Sequence, residues 1–329
     1  MTVPFPSSSF PPPSLLPILL AGPTAVGKSE VALLLAEGLD GEIVSVDSMQ
    51  VYRGLDIGTA KPSAADRARV PHHLIDVVEL TEPFDAAKFV ELARQAVATI
   101  QARGKRPILC GGTGFYFQAF LEGLGAAPPA DAALRAELAA TPLEALLAEL
   151  AARDPQTFAR IDRHNPRRVI RAVAVIRLTG KTFTGQRADW ARARELSAEA
   201  ESSRLLFYGL EREADDLRRR MDARVDAMFA RGLVAETRDL LARGLAENQT
   251  ALQAIGYRQV VEHLRGERAL AETVEWVKIR TRQFAKRQMT WFRRQAPITW
   301  LRVAPQETPV ATARQLIETS GLELPNWQA

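Results

Sequence analysis

The chain has 329 residues, of which 47% are hydrophobic and 25% are charged. This length predicts about two domains, and the apolar content is sufficient for buried cores, which excludes a fibrous or wholly disordered protein. The 43 basic and 39 acidic side chains give a net charge of +4, and the single cysteine, Cys110, excludes an intrachain disulfide and a zinc site built from several cysteines.

The chain is predicted to begin with a disordered or extended tail. Residues 1–14 are rich in proline and serine and carry no basic residue ahead of an apolar segment, which argues against a secretory signal. Uninterrupted apolar runs elsewhere are far shorter than the roughly 20 residues of a membrane span, so no membrane partner is expected. We therefore predict a soluble protein of the cytoplasm, and we expect it to be a monomer.

An α/β core is predicted to follow this tail. Apolar runs predict strands at residues 15–21, 42–46, 107–110 and 204–209, and helical periodicity appears at 29–39, at 84–102 and through most of 213–300. Strands that alternate with helices are typical of a parallel sheet covered by helices on both faces. The core is predicted to comprise residues 15–130 and 200–305, the latter with C-terminal helices.

A second, all-helical domain is predicted to interrupt this core. Residues 131–199 are rich in alanine, leucine, arginine and glutamate, and they show little strand character. The remaining residues, 306–329, are predicted to form a C-terminal tail.

A phosphate-binding loop is predicted between the first strand and the first helix. Residues 22–29 (GPTAVGKS) match G-x-x-x-x-G-K-[ST] in the strand–loop–helix context that the motif requires. Glycines let backbone N–H groups surround an anion, and the helix N-terminus adds partial positive charge. The motif predicts a P-loop NTPase-like sheet, without identifying the phosphate compound. Its predicted phosphate-binding residues are Gly22, Pro23, Thr24, Ala25, Val26, Gly27, Lys28 and Ser29, with the Ser29 hydroxyl as a ligand for Mg²⁺.

Asp47 is the candidate acidic residue beside this loop. An NTPase that hydrolyses its substrate usually has a carboxylate at the end of an apolar strand. The strand at 107–110 ends instead in glycines and Thr113, whereas the strand at 42–46 ends at Asp47. The residues alone leave open whether Asp47 is a metal ligand, a general base or a residue that caps a turn.

Seven segments together resemble the tRNA dimethylallyltransferases, also called tRNA isopentenyltransferases, of bacterial type. In chain order they are GPTAVGKS, DSMQVYRGLDIGTAKP, PHHLID, GGTGFYFQAFLEGL, NPRRVIRAVAVIRLTGKT, AIGYRQ and RTRQFAKRQMTWFRR. They extend from about residue 18 to about residue 300, and the second segment is long and specific to the family. Because the chain has a single cysteine, no zinc-finger extension like that of eukaryotic relatives is expected.

The resemblance implies prenyl transfer, not phosphoryl transfer. The expected reaction moves a dimethylallyl group from dimethylallyl diphosphate to N6 of adenosine 37, beside the anticodon of tRNAs that read codons beginning with U. It implies that the phosphate loop and Mg²⁺ hold the diphosphate, that Asp47 accepts a proton, and that Thr113 assists the bridging oxygen. A diphosphate-binding arginine is implied at Arg224 or Arg220, with a slight preference for Arg224.

A nucleic-acid surface is predicted near the end of the core. Residues 278–294 contain seven basic and no acidic residues, with aromatic residues between them, which suits RNA phosphates and stacked bases, although a solvated helix face would look similar. The implied partner is the tRNA anticodon stem-loop, with Gln50 or Ser48 reading the adenine edge. The resemblance implies tRNA contacts at Asp47, Ser48, Met49, Gln50, Thr113, Arg135, Arg167, Arg168, Arg171, Gln253, Gly256, Tyr257, Arg258, Lys286, Arg287, Gln288, Trp291 and Arg293.

Two other functions remain as alternatives. A P-loop small-molecule kinase would use Asp47 to activate an acceptor hydroxyl and the helical insertion as a lid. A non-enzymatic RNA-binding ATPase switch would show RNA-stimulated hydrolysis. Both alternatives predict ATP consumption. The adjacent His72 and His73 are expected to be structural.

Overall fold

The computed structural model describes residues 15–128, 131–186 and 205–323, so the predicted tail at 1–14 lies outside the described residues. The contacts within the chain define two compact units. One comprises Met1–Phe120 and Arg204–Ala329, and the other comprises Leu121–Ser203. No helix in the described ranges is long and apolar enough to span a membrane.

The first unit contains a six-stranded, fully parallel sheet in the order β3-β2-β4-β1-β5-β6. Most of its strands are buried apolar runs, as expected for a parallel sheet covered on both faces. The predicted α/β fold class is therefore confirmed, and β3 and β6 are strands that the sequence patterns did not predict. The strands are β1 (Ile18–Ala21), β2 (Gly41–Val46), β3 (His72–His73), β4 (Arg106–Gly111), β5 (Leu206–Glu211) and β6 (Thr299–Arg302).

The register of the sheet brings three loops together. Ala21 at the end of β1 and Val46 at the end of β2 both pair with Gly111 at the end of β4. Because the strands are parallel, the segments that follow them leave the same edge of the sheet. The phosphate loop, Asp47 and the glycine turn that contains Thr113 therefore meet at this edge.

Helices cover the sheet of the first unit. The predicted helices at 29–39 and 84–102 appear as α1 and α3, and Asp85 caps α3 by accepting hydrogen bonds from the N–H groups of Ala87 and Lys88. Before the second unit, the helices are α1 (Lys28–Gly38), α2 (Ala64–Arg69), α3 (Ala86–Ala102) and α4 (Gly114–Glu122), and α4 continues past the unit boundary. After the second unit, the helices are α9 (Ala214–Ala230), α10 (Leu233–Ala242), α11 (Tyr257–Leu264), α12 (Leu270–Gln295) and α13 (Pro309–Ser320).

The C-terminal segment differs from the predicted tail. Residues Pro309–Ser320 form α13, and its side chains Ala313, Leu316 and Ile317 are buried in the same hydrophobic core as α1 and the sheet. Burial of this apolar face provides the stabilisation that a free tail would lack. The prediction of a tail was wrong because a short polar loop separates α13 from the helical segments before it, so that its apolar face was not recognised as part of the core.

The second unit is helical over most of its described residues, in agreement with the predicted inserted helical domain, and residues 129–130 and 187–203 of this unit lie outside the described ranges. Its core is built around Leu138, Leu150 and Val173. Asp154 is buried and accepts hydrogen bonds from the N–H groups of Thr157 and Thr184. The helices are α5 (Ala132–Ala140), α6 (Leu143–Arg153), α7 (Pro155–Arg160) and α8 (Pro166–Thr179).

Candidate active site

The phosphate loop has the backbone conformation that its glycines and its helix predict. Gly27 has a φ of 109°, which favours glycine, and α1 begins at the next residue, Lys28. Gly22 is required for a different reason, because a Cβ atom there would lie 2.7 Å from the carbonyl oxygen of Leu210. The loop therefore places its N–H groups and the positive end of α1 beside one another at the sheet edge.

Three cationic side chains donate hydrogen bonds to carbonyl groups of this loop. Lys28 Nζ donates to the Pro23 carbonyl at 2.7 Å, and Arg220 Nε donates to the Ala25 carbonyl at 3.0 Å. Arg212 Nε donates to the Val26 carbonyl at 2.9 Å. Positive charge is thus concentrated around the loop, as binding of a diphosphate requires.

Arg212 is a residue of this site that the motifs did not indicate. It follows β5, which is the neighbour of β1 in the sheet, and its side chain is almost fully buried. One of its guanidinium nitrogens lies 3.9 Å from the position that a Cβ atom of Gly27 would occupy, and another pairs with Asp216 at 3.0 Å. The sequence does place Arg212 just beyond the end of a predicted strand. That position indicates a site residue only when β5 is known to lie beside β1 in the sheet.

Lys28, Asp47 and Arg224 form a charged group near the loop. The pKa of Lys28 is lowered to about 8, mainly by burial and also by the Arg224 guanidinium, while Cys110 and Asp47 oppose the shift. Burial likewise lowers the pKa of Arg224, while the Asp47 carboxylate raises it. The structure thus places both candidate arginines near the phosphate loop: Arg220 contacts the loop itself, and half-buried Arg224 interacts electrostatically with Asp47.

Asp47 uses one carboxylate oxygen to shape its own loop. Its Oδ1 accepts hydrogen bonds from the N–H groups of Met49 at 2.8 Å and Gln50 at 3.2 Å. Within the described residues, Oδ2 forms neither a hydrogen bond nor an ion pair. Capping of a turn and action on a substrate are therefore compatible, because separate oxygens are available for them.

Thr113 lies directly beside this turn. Its Oγ1 accepts a hydrogen bond from the Ser48 N–H at 3.3 Å, and its own N–H donates to the Val46 carbonyl at 3.2 Å. Because the hydroxyl accepts in this contact, its proton remains available for donation. The two residues predicted to act on the reacting atoms, Asp47 and Thr113, are thus neighbours.

Residues 47–61, termed the 47–61 loop, are held mainly by side chains. Gln50 accepts a hydrogen bond from the Ser45 hydroxyl at 2.9 Å and donates to the Thr59 carbonyl at 3.2 Å. The Ser48 hydroxyl forms no hydrogen bond within the described residues. Of the two candidates for reading the adenine edge, Ser48 has the unengaged side chain.

Half-buried Glu236 on α10 and buried Tyr257 on α11 anchor the far side of the 47–61 loop. Glu236 accepts a hydrogen bond from the Ile57 N–H at 3.0 Å, and Tyr257 donates to Glu236 at 2.5 Å while accepting from the Gly58 N–H at 3.0 Å. Burial and the Glu236 carboxylate raise the pKa of Tyr257. Tyr257 is fully buried, so in this structure its side chain positions the loop, and its implied contact with tRNA remains a prediction.

Lys61 completes the anchoring of this loop. Its ammonium group donates to the Tyr52 carbonyl at 2.6 Å and pairs with Asp56 at 2.7 Å and Asp76 at 2.5 Å. The lysine side chain is 2% exposed, which assigns it a structural role.

His72 and His73 are also engaged within the protein. His72 Nδ1 lies 2.7 Å from the Val70 carbonyl, and His73 Nε2 lies 2.6 Å from Oε2 of Glu42. These contacts agree with the structural role expected for both histidines.

The basic helix α12 is less free of acidic partners than its sequence indicates. Within residues 278–294 no acid is present, but acids on other elements pair with three of the seven basic residues. This compensation could not be seen along the chain, because the partners are distant in sequence. The pairs across elements are Lys278–Asp226 at 2.8 Å, Arg282–Asp222 at 3.4 Å and Arg293–Glu211 at 2.9 Å.

The remaining predicted tRNA contacts differ in exposure. On α12, Lys286 and Arg287 are exposed, whereas Gln288 is buried and Trp291 is half-buried. Gln253 and Arg258 are exposed, and Gly256 is buried. In the second unit, Arg135, Arg167 and Arg168 are exposed, and Arg171 donates to the Pro128 carbonyl at 2.7 Å.

The family model for IPP transferases matches residues 50–295, which is more than half of the chain. The chain belongs to the IPP transferase family. It is 48% identical to a tRNA dimethylallyltransferase of Trichlorobacter lovleyi over 288 residues, covering 86% of this chain and 92% of that protein. It is 47% identical to the corresponding enzyme of Geobacter metallireducens over 288 residues, covering 86% of this chain and 91% of that one.

Solved structures of similar proteins share the fold of this IPP transferase family member. The full-length tRNA isopentenylpyrophosphate transferase of Bacillus halodurans superposes with a TM-score of 0.67 at 38% identity, covering 94% of this chain and 96% of that chain. A eukaryotic dimethylallyltransferase, whose structures were determined while acting on tRNA, superposes with a TM-score of 0.75 at 26% identity, covering 94% and 81% of the two chains.

Proposed function

We propose that this protein transfers a dimethylallyl group from dimethylallyl diphosphate to N6 of adenosine 37 in tRNAs that read codons beginning with U. The products are N6-isopentenyladenosine and diphosphate. The observation that carries the proposal is the meeting of a phosphate loop with Asp47 and Thr113 at one sheet edge, in a chain similar over most of its length to tRNA dimethylallyltransferases.

The cations of the site suit a departing diphosphate. Breaking the allylic carbon–oxygen bond leaves the bonding electrons on the diphosphate, so charge must be stabilised as the bond lengthens. Lys28 and the N–H groups of the phosphate loop are placed to do this, assisted by Arg220 and Arg224. Strand β4 ends at Gly111 without a carboxylate, and none is required, because no water is activated to cleave a phosphoanhydride.

Asp47 and Thr113 suit the other half of the reaction. The N6 amine of adenine is a weak nucleophile because its lone pair is delocalised into the ring. As the N6–carbon bond forms, one amine proton passes to Oδ2 of Asp47, the oxygen that does not cap the turn. The Thr113 hydroxyl can donate a hydrogen bond to the bridging oxygen of the diphosphate as the carbon–oxygen bond breaks.

The residues of the phosphate loop fit Mg²⁺ as the metal. Ser29 is exposed at the start of α1, and its hydroxyl forms no hydrogen bond among the described residues. The described part of the chain contains no group of three or more His, Cys, Asp or Glu side chains able to hold a metal. This agrees with Mg²⁺, which is commonly held by one or two protein oxygens together with substrate phosphates. When bound, the ion would neutralise charge on the diphosphate.

The partner proposed for the basic surfaces is the anticodon stem-loop. Exposed basic residues on α12, α5 and α8, including Lys286, Arg287, Arg135, Arg167 and Arg168, suit contact with RNA phosphates. Adenosine 37 is stacked in its loop, so we propose that it is extruded to reach Asp47. We also propose that the enzyme acts as a cytoplasmic monomer, which light scattering of the purified protein tests for the oligomeric state.

Transfer of a labelled prenyl group tests the function directly. The purified protein is incubated with Mg²⁺, labelled dimethylallyl diphosphate and an anticodon stem-loop, and we expect label in the RNA and release of diphosphate. A stem-loop with guanosine in place of the target adenosine serves as the control and should acquire no label. Absence of transfer together with ATP consumption would overturn the proposal in favour of a kinase or an ATPase.

A further inference from the structure

Helix α12 contacts the catalytic edge of the sheet through Gln288. This side chain is buried, with 7% exposure. Its Oε1 accepts a hydrogen bond from the Thr24 N–H in the phosphate loop at 2.9 Å, and its Nε2 donates to the Gly112 carbonyl at 2.9 Å. One amide group therefore joins the loop that follows β1 to the turn that follows β4.

Trp291 contacts the same turn three residues further along the helix. A Cβ atom at Gly114 would lie 2.1 Å from Cε3 of Trp291, so the indole packs directly against this glycine. A Cβ atom at Gly112 would lie 2.3 Å from Nε2 of Gln288. Residues three apart on a helix share a face, so one face of α12 contacts the turn on both sides of Thr113.

We infer that Gln288 and Trp291 are positioning residues, which set the distance between the phosphate loop and the Thr113 hydroxyl. The inference rests on the proposed function, in which the bridging oxygen must reach Thr113 while the phosphates occupy the loop. The geometry required for bond cleavage involves both loops at once, and Gln288 forms a hydrogen bond to each. Its role is therefore distinct from the tRNA contact that the family resemblance implies for this residue.

The two roles predict opposite changes in kinetics. A positioning residue affects the chemical step, and a displacement of about 1 Å can reduce the rate by about 100-fold. A residue that contacts tRNA affects the affinity for tRNA and leaves turnover at saturating tRNA unchanged. Neighbouring Lys286 and Arg287 are exposed and suited to RNA phosphates, whereas the amide of Gln288 is occupied on both sides.

Substitution of Gln288 with Leu and with Glu tests the inference. Gln288→Leu removes both hydrogen bonds, and we expect kcat at saturating tRNA to fall about 100-fold, with the tRNA dissociation constant within about twofold of wild type. Gln288→Glu keeps the acceptor for Thr24 and loses the donor for Gly112 until its carboxyl group is protonated. Its kcat relative to wild type should therefore recover as the pH is lowered. Gln95→Leu makes the same change at an exposed position of α3, a helix that carries none of the predicted site residues, and it should alter neither quantity.

Binding of inorganic diphosphate provides a readout that needs no prenyl transfer. Calorimetry should show weaker binding to Gln288→Leu than to wild type, and thermal unfolding monitors whether each variant is folded. If Gln288→Leu does not fold, the near-isosteric Gln288→Glu variant carries the test.

An unchanged kcat with weakened tRNA affinity would overturn the inference and leave the proposed function intact. Lack of prenyl transfer by the wild type would instead overturn the proposed function, and unchanged diphosphate binding by the variant would then overturn the inference as well.

Discussion

Two loops meet at the carboxyl edge of the sheet, and different interactions define their shapes. The phosphate loop takes its backbone turn from a short motif, because Gly27 has a positive φ and α1 begins directly after it, and side chains from other elements such as Gln288 then hold the loop in place. The 47–61 loop contains almost no regular structure, and its shape depends on Asp76 and on the more distant residues Glu236 and Tyr257. A motif can thus specify a conformation locally, whereas the presentation of a substrate-facing loop requires partners from several elements.

The largest effect is expected at Asp47, where the 47–61 loop supplies the chemistry. Asp47→Asn keeps an oxygen that can cap Met49 and Gln50 but removes the proton acceptor, so kcat should fall by about 10²–10⁴-fold. Asp47→Ala removes the cap as well, and any further decrease in kcat measures how much the shape of the loop contributes to the rate. Single-turnover prenyl transfer gives the rates, and the tRNA dissociation constant should remain nearly unchanged. Wild-type turnover by Asp47→Asn would remove Asp47 as the base.

Removal of the loop lysine should cost slightly less. Lys28→Met eliminates a charge directed at the departing diphosphate, and loss of one such stabilising group typically lowers kcat by about 10²–10³-fold. Rates of prenyl transfer at saturating tRNA provide the measurement. Lys105→Met is the matched control, since Lys105 pairs with Asp40 before β4, at the opposite end of the strand from the phosphate loop. Equal rates for the two variants would contradict the role given to Lys28.

The perturbed Lys28 also predicts a pH dependence. The ammonium form binds diphosphate, and with a pKa of about 8 it is lost as the pH rises through that value. Raising the pH from about 7 to about 9 should therefore weaken diphosphate binding about tenfold through Lys28. In the Lys28→Arg variant the side chain stays protonated over this pH range, so the pH profile of its diphosphate binding reports only the ionisation of the diphosphate. If both proteins show the same pH profile, Lys28 does not titrate in this range.

The anchors of the 47–61 loop should affect stability and tRNA use together. Glu236→Ala leaves the Ile57 N–H and the hydroxyl of buried Tyr257 without their acceptor, and the free energy of unfolding should fall by about 1–3 kcal/mol, as for a buried group that loses its partner. Urea denaturation measures this loss, and the KM for tRNA should rise. Glu262→Ala serves as a control, because this half-buried glutamate pairs with arginines only. Unchanged kinetics in Glu236→Ala would show that the loop keeps its shape without this anchor.

The smallest effect is expected on the exposed face of α12. Neutralising Lys286 and Arg287 to Gln should weaken tRNA binding and reduce the slope of log affinity against log salt by about 1.5, as expected for two lost phosphate contacts. Filter binding at several salt concentrations measures the slope. Because Lys278 and Arg282 already pair with acids, the same changes there should reduce the slope less. If every variant showed the same slope as the wild type, the exposed side of α12 would be a solvated helix face with no contact to RNA phosphates.

Much of the fold followed from local patterns. Apolar runs between turn residues predicted β1, β2, β4 and β5 to within about three residues, because buried strands and amphipathic helices have periodicities that can be recognised in short windows. Strand β3, with two residues, and strand β6, with four, were too short for this, and α13 was mistaken for a tail. The two short strands are recognisable only from what they pack against, whereas α13 also has local signals, with Thr308 and Pro309 at its start and Gly321 at its end.

The candidate site divides in the same way. The sequence by itself determined the phosphate loop, Asp47, Thr113 and the resemblance to a tRNA-modifying family, because glycine geometry, charge and motif order are properties of neighbouring residues. Only the tertiary structure revealed Arg212 beside Gly27, Gln288 between the two loops, and the acids that neutralise part of α12. Hydrogen bonds and ion pairs act over a few ångströms in space, and the parallel sheet brings together residues that are more than 250 positions apart along the chain.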